Sequence, residues 1–325
     1  MKVDVLSEVL RGVRLKGAVF FDFDLSSPWV LEAPPSREIA GRVMPGAERV
    51  IEYHLMARGS GWGHAVGEEP IRLREGDLIC FPQGDPHVLS SAPGLRDRPD
   101  LSRFVRPATF PVVYDFGGGG SERARIVCCF MGIDERPYNP LLAALPKTIH
   151  LGAPDASTRP GSGWLGGLLT IAARESTNPS PGGQNVLERL SELLFVEAIR
   201  RYVDTLPENQ TGWLAGLRDP IIGEALSALH ADPAEAWTVE RLARSVGVSR
   251  SVLAERFTEL VGQPPMQYLA LWRMQLASRL LAEGGRVAAV SASAGYESEA
   301  AFSRAFKKLM GQSPAAWRRG SERSS

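Results

Sequence analysis

The chain has 325 residues, of which 44% are hydrophobic and 23% charged, with a formal net charge of zero. That is too long for one ordinary compact domain and too balanced for a disordered or fibrous chain. No apolar run approaches the ~20 residues that span a bilayer.

The first segment, MKVDVLSEVLRGVRL, is amphipathic and charged and lacks the apolar stretch of a signal peptide, so the chain reads as soluble and cytoplasmic. From about 16 to 150 the sequence is strand-like. GAVFFDFD, VIEYHLMA, DLICFP and ARIVCCFMGI are short β-branched or aromatic runs between Gly/Pro clusters. The stretch from APGLRDRPDLSRF to DFGGGGSER reads as a long surface loop. The cysteines are Cys80, Cys128 and Cys129. Adjacent Cys128 and Cys129 point to opposite faces of a strand, which argues against a disulfide scaffold.

STRPGSG, from 157, marks a boundary. Helical periodicity follows in WLGGLLTIAARE and in NVLERLSELLFVEAIRRYV, where Leu187, Leu190, Leu194 and Ile199 fall near one stripe, widened by Leu193 and Val196. That stripe fits two uses equally, dimerisation or packing against its own domain. Three regions result: a strand-rich domain over 1–156, a helical linker or dimerisation region over 157–214, and a helical domain over 215–325.

The last segment contains an internal repeat. VERLARSVGVSRSVLAERFTELVGQPPMQYL aligns with VAAVSASAGYESEAAFSRAFKKLMGQSPAAWR. Gly247 pairs with Gly295, Phe257 with Phe306, Gly262 with Gly311, and Tyr268 with Trp317. Each copy predicts a short helix with a buried Leu242, Ala243 and Val246, or Val290 and Ala294, ending at a glycine. Ser249 or Ser298 then caps a second helix, whose buried stripe is Leu253, Phe257, Leu260 or Phe302, Phe306, Leu309. A helix over Met266 to Ala282 joins the copies. This is helix-turn-helix geometry, in which the second helix can enter a DNA major groove. Charge agrees: residues 237–325 carry 13 Lys+Arg against 7 Asp+Glu, leaving 24 against 30 elsewhere.

GYESEAAFSRAFKKLMGQSPAAWRR resembles the signature segment of AraC/XylS-type transcription regulators. LARSVGVSRSVLAERFTELVGQPPMQYLALWRMQLASRLL resembles that family's first helix-turn-helix and connecting helix. Ser291 and Ala294 depart mildly from its pattern. EYHLMARGSGWGH, GDLICFPQGDPHVLS, IVCC and NPLLAALPKTIHL are similar, more weakly, to the cupin-type sensor domain attached to one branch of the family. The resemblance implies a cupin-like jelly-roll β-barrel followed by an all-α region with two helix-turn-helix motifs. It implies a DNA-binding transcription regulator controlled by a ligand or metal, with double-stranded DNA as partner, a homodimeric state, and RNA polymerase as a further partner. No catalytic residue is expected.

On the two recognition helices the outward stripe supplies the base-reading candidates: Arg250, Ser251, Ala254 and Glu255 in the first, and Glu299, Ala300, Ser303 and Arg304 in the second. Lys307, Lys308, Arg318 and Arg319 suit phosphate. In the cupin-like part, Gly76 through Pro82 and Gly84 to His87 has the spacing of the second cupin motif. The strand of the first motif offers His54 but neither a paired histidine nor a matching carboxylate, so iron–oxygen chemistry is not expected. His64 is not placed by its spacing. His54, His87 and Cys128, with Cys80 as a fourth donor, would suit zinc. The alternative is that both histidines are hydrogen-bonded to backbone and the cysteines are small core residues. Trp62, Phe81, Phe130 and Met56 read as pocket lining or core. The rival reading of the whole chain is a cupin-type metalloenzyme or small-molecule binding protein with a DNA-tethering tail.

Overall fold

A computed structural model describes residues 3–13, 15–102, 104, 112–133, 139–152, 167–168, 171, 174–175, 180–207 and 212–322. Most of the helix expected over WLGGLLTIAARE, and the STRPGSG boundary, lie outside these residues. The chain divides into two compact units, one of residues 15–134 and 145–205, the other of 1–14, 135–144 and 206–325.

The first unit is built on two sheets. The strands are β1 (Leu15–Ser26), β2 (Val30–Ala33), β3 (Arg49–Arg58), β4 (Ser60–Ala65), β5 (Ile71–Arg74), β6 (Leu78–Phe81), β7 (His87–Ser90), β8 (Val112–Gly117), β9 (Arg123–Ile133) and β10 (Ile149–Leu151). A six-stranded sheet has the order β10-β6-β3-β9-β1-β8, and a four-stranded sheet the order β2-β7-β4-β5. β1 pairs with β8 in parallel and every other ladder is antiparallel. The expected barrel is therefore corrected to two sheets that do not close. Among the described residues no ladder joins an edge of the larger sheet to an edge of the smaller.

The inner faces of the sheets share one core, including Val19, Phe21, Met56, Leu73, Ile79, Phe81, Leu89 and Phe130. The two sheets come close at Gly63, where a β-carbon would lie 2.9 Å from both Ile79 and Leu89 methyls. Gly84, in the turn before β7, has φ +66 and faces Ser36 of α2 (Ser36–Val43) so closely that a β-carbon would overlap its hydroxyl.

The helix over 185–205 forms as expected, as Gly183–Thr205. In the structure's chain order it is α4, after α3 (Pro140–Ala144). Its apolar stripe is already used. Leu187, Leu190, Leu194, Phe195 and Ile199 are buried, against a layer that includes β1 and β10. Ser191 donates to the Leu187 carbonyl at 2.7 Å and lies 3.4 Å from Cys129 Sγ. The leucine stripe thus packs on its own unit, because the outer face of the larger sheet is itself apolar and needs a cover. Val186 and Leu193 remain exposed.

The second unit is helical. α1 (Val5–Arg11) is capped by Asp4 and buries Val5 and Val9. Asn139 caps α3 by accepting from Leu141 and Leu142 N–H, and its amide donates to the Val9 carbonyl at 3.2 Å. Then come α5 (Trp213–Arg218), α6 (Pro220–Ala231), α7 (Val239–Ser245), α8 (Arg250–Val261), α9 (Pro265–Ala282), α10 (Val287–Ser293), α11 (Glu299–Met310) and α12 (Pro314–Glu322). The repeat is α7–α8 and α10–α11, joined by α9. Thr238, Ser249 and Ser298 cap α7, α8 and α11 through their hydroxyls. Gly247 and Gly295 turn the chain with φ +72 and +73, where other residues would be strained.

Two details of the repeat differ from expectation, the first being Val246, which is only half-buried. The buried stripes end at Val261 and Met310, whereas Leu260 is half-buried and Leu309 is exposed. Positions seven and eight along a helix straddle the same face, and here the eighth points inward in both copies.

The packing of α4 yields a contrast between neighbours. Leu194 is 1% exposed and Leu193 48%. Leu194→Ala should cost about 2–5 kcal/mol of stability by chemical denaturation, while Leu193→Ala should stay within about 0.5 kcal/mol. The reverse order would mean that the stripe does not pack on the sheet.

Candidate functional site

β3 and β9 are antiparallel neighbours with His54 opposite Cys128. Strand alternation sends Glu52, His54, Cys128 and Phe130 to the inner face and Tyr53 and Cys129 to the outer one. His87, the first residue of β7, arrives from the other sheet. These groups form the floor of a cavity that is open to solvent. Its walls are mostly apolar, with Phe21, Phe23, Leu31, Leu89, Phe104 and Phe130, and acidic Glu32, Asp97 and Asp100 also line it.

The hydrogen bonds on the floor fix the proton positions. His87 Nδ1 lies 3.0 Å from the Asp85 carbonyl oxygen, which can only accept, so Nδ1 carries the proton and Nε2 holds a free lone pair. His54 Nε2 is 2.9 Å from that lone pair and donates to it. His54 Nδ1 is then the acceptor for the Cys128 thiol, 2.7 Å away. The direction of the whole chain follows from one carbonyl. Burial keeps each member neutral: it pushes the His87 imidazole down to about 4, lowers His54, and raises the Cys128 thiol. Phe81 stacks on the His87 ring at 3.8 Å between centroids.

Glu52 stands apart from this chain. It is fully buried, 3.7 Å from His87 Nε2, and neither carboxyl oxygen has a hydrogen-bond partner among the described residues. Burial drives its carboxyl well above the usual carboxylate range. Donor atoms of Glu52, His54 and His87 lie within 4.8 Å of one another, a grouping able to hold a metal ion.

The donor set expected from sequence is therefore rearranged. Cys80 is on β6 beside Ile79 and Phe81, which face the core, so its own side chain turns to the outer face with Tyr53 and Cys129. Cys128 meets His54 at Nδ1, on the far side of the ring from the nitrogen that faces His87. The first-motif strand does supply a carboxylate, Glu52. The signal was present in Glu-Tyr-His, where period-two spacing puts Glu52 and His54 on one face. His64 is buried on β4 and lies outside the group. Phe130 lines the cavity, Met56 and Phe81 belong to the core, and Trp62 is half-buried under the Arg72 guanidinium.

In the helical unit, α8 and α11 each turn a polar face outward. Arg250, Ser251, Glu255, Glu299, Ala300, Arg304 and Lys307 are exposed, while Ala254 and Ser303 are half-buried. Arg250 pairs with Glu240 at 3.0 Å, and Arg256 pairs with Asp219, the cap of α6. Sequence periodicity missed Val252, 47% exposed on the first turn of α8. Behind this surface, Trp213 donates to the Tyr268 hydroxyl at 3.0 Å, and that hydroxyl is 2.7 Å from His230 Nε2. The contact ties α5 and α6 to the connecting helix.

A cupin family model matches residues 4–204, and a helix-turn-helix domain model matches residues 242–320. An AraC-like transcription regulator of Streptomyces lividans is 35% identical over 84% of this chain and 88% of its own length. The HTH-type transcriptional regulator AlkR of Acinetobacter baylyi is 31% identical over 93% of this chain and 98% of its own. Among solved structures, the DNA-binding domain of AdpA in complex with a target DNA is 34% identical over 31% of this chain and 92% of that chain, with a TM-score of 0.30. Among the described residues no helix is long and apolar enough to cross a membrane.

The buried His230 carries a pH prediction. Its imidazole is pushed down to about 3 by burial, against about 6.5 when unfolded. Between these values the unfolded chain binds a proton that the folded chain does not, so stability is full above pH ~6.5 and falls as the pH drops toward 3. Urea denaturation followed by tryptophan fluorescence should show this decline, and His230→Gln should flatten it relative to the wild type. Equal slopes for the two proteins would assign the decline to other groups.

Proposed function

The chain belongs to the AraC-like transcription regulators that join a cupin domain to a helix-turn-helix domain, and on that premise we propose that its floor-and-wall cavity receives the effector that controls DNA binding. It is a DNA-binding transcription regulator. The observation that carries the sensing reading is Glu52: a fully buried carboxyl without a hydrogen-bond partner among the described residues, at the bottom of an aromatic cavity. A group left in that condition costs stability, on the order of 1–3 kcal/mol, which an occupant can recover.

Sensing asks little more of the pocket. The occupied and empty states need differ by only ~1–3 kcal/mol in how they favour DNA binding. Glu52 with two imidazoles would equally serve a metalloenzyme of the two-histidine, one-carboxylate type. We assign it to ligand binding because relatives matching along most of the chain are regulators. The non-enzyme reading thus rests on kinship and not on a missing carboxylate.

On DNA, α8 and α11 would enter successive major-groove segments about 34 Å apart. Arg304 and Arg250 suit guanine, Glu255 and Glu299 suit the cytosine amino group, and Val252 offers an apolar contact to a thymine methyl. Ser251, Ala254, Ala300 and Ser303 would set how closely the helices approach. Lys307 and Lys308 would hold phosphate. RNA polymerase and a second copy of the chain are the remaining partners in this reading. With the leucine stripe of α4 buried, self-association would have to use other surface.

Sequencing the fragments that the purified protein retains from a random duplex pool would identify its site. On that site Arg304→Ala should weaken binding by about 1–3 kcal/mol and relax one base position. Lys307→Ala should weaken all duplexes alike and reduce the dependence on salt by about one phosphate contact. An Arg304→Ala protein that loses affinity equally for every sequence would make Arg304 a phosphate contact. Retention of no preferred sequence by the wild type would overturn the regulator's base-reading assignment.

A further inference from the structure

We propose that Glu32 is the clasp of a flap at the mouth of the cavity, residues 92–100, and that release of its ion pair with Arg96 admits the effector. The proposal rests on the sensing reading and names the step by which the cavity is reached. The flap leaves β7 and belongs to no helix or strand. Its near end is tied down at Ser91, whose N–H donates to the Trp29 carbonyl at 3.0 Å and whose hydroxyl accepts from Trp29 N–H at 3.1 Å. Pro93 and Gly94 then turn the chain, with Gly94 at φ +79. At the far end Leu101 and Phe104 pack partly buried on the core, and Phe104 lies 6.1 Å from Phe130 between ring centroids. Arg42 of α2 also donates to the Leu101 carbonyl, at 3.5 Å.

Between these anchors one carboxylate draws the flap onto β2. Arg96 donates to Glu32 through Nε at 2.8 Å and also through Nη2, and Asp97 N–H donates to the same carboxylate at 3.1 Å. A forked pair of this kind fixes orientation as well as distance. It sets Asp97, Arg98 and Asp100 into the cavity lining beside Glu32 itself. Glu32 is therefore a positioning residue. The floor is held differently, by the continuous ladders of β3 and β9. Local opening is cheapest where few backbone bonds hold the chain, and that place is the flap. The Arg96 guanidinium holds the Glu32 carboxyl below its ordinary range, so the pair is charged at neutral pH. The Arg96 side chain is 51% exposed, which leaves the pair within reach of screening by salt. Cys128 on the floor is 3% exposed. A reagent larger than water therefore meets its thiol when the flap lifts, whereas Cys80 and Cys129, on the outer face of the sheet, lie away from that route.

The test treats full-length protein with N-ethylmaleimide at fixed pH and locates the label by tandem mass spectrometry. In the wild type Cys128 should react slowly, and faster as potassium chloride is raised. Glu32→Gln and Arg96→Gln should each speed labelling of Cys128 about fivefold. Both should also abolish its dependence on salt. The double variant should be no faster than either single one, because both substitutions break the same pair. Circular dichroism on the same preparations reports folding, and Arg96→Gln alters an exposed side chain if Glu32→Gln does not fold. Folded variants that label at the wild-type rate overturn the clasp, as does a double variant whose effects add. Equal acceleration at Cys80 or Cys129 overturns it too, since the sheet itself would then be opening. The rate is read with no effector present. A failed clasp thus leaves the sensing role of the cavity standing, and a cavity that senses nothing leaves the clasp intact.

Discussion

The pleat of two paired strands, β3 and β9, governs the character of the sheet unit. With His54 set opposite Cys128, every second residue of each strand turns inward, and Glu52, His54, Cys128 and Phe130 arrive on one surface. The residues between them, Tyr53 and Cys129, turn outward and meet Ser191 of α4. A slip of one residue would exchange the two sets, placing a glutamate and a histidine under the helix and a tyrosine in the cavity. Register is therefore the condition on which both the cavity and the helix packing rest.

Burial then sets the electrostatics. A carboxyl, two imidazoles and a thiol share one floor with almost no solvent, so each is driven toward its neutral form. Three of the four resolve this by a directed hydrogen-bond chain ending on the Asp85 carbonyl. The fourth, Glu52, finds no hydrogen-bond partner among the described residues, unlike the members of an ordinary buried polar network. Buried polar groups in a protein's interior are almost always paired. Of these four groups, the one without a partner among the described residues lines a cavity.

The helical unit is governed by a different constraint, repetition. Each copy spends its apolar side chains on a short core, Leu253, Phe257 and Val261 or Phe302, Phe306 and Met310, and closes its helix with a left-handed glycine. This leaves the opposite face of α8 and α11 with no packing role, free to carry arginine, glutamate and serine. Rigidity comes from α9, whose Tyr268 is held by Trp213 and His230. The base reading proposed for that face would need such rigidity, since bidentate pairing tolerates little displacement of the helix. The basic balance of the segment supplies attraction to phosphate without dictating sequence.

The sequence by itself determined the helix-turn-helix pair, its caps and its glycine turns, because these depend on contacts a few residues apart that local chemistry specifies. The cupin resemblance allowed His54, His87 and Cys128 to be brought together, but left open that both histidines bond to backbone and the cysteines are small core residues. Only the tertiary structure decided which atoms of those residues face one another. Cys128 and His87 approach opposite nitrogens of the same ring, a distinction that no spacing encodes. Glu52 was legible as a residue two positions before His54, yet its lack of a partner depends on every side chain around it. The leucine stripe of α4 shows the same limit. Its period predicted an apolar face, but whether that face meets a sheet or a second chain depends on what surface the rest of the fold leaves uncovered. Likewise two sheets, rather than a closed barrel, follow from which strand edges find hydrogen-bond partners, and those partners come from distant parts of the chain.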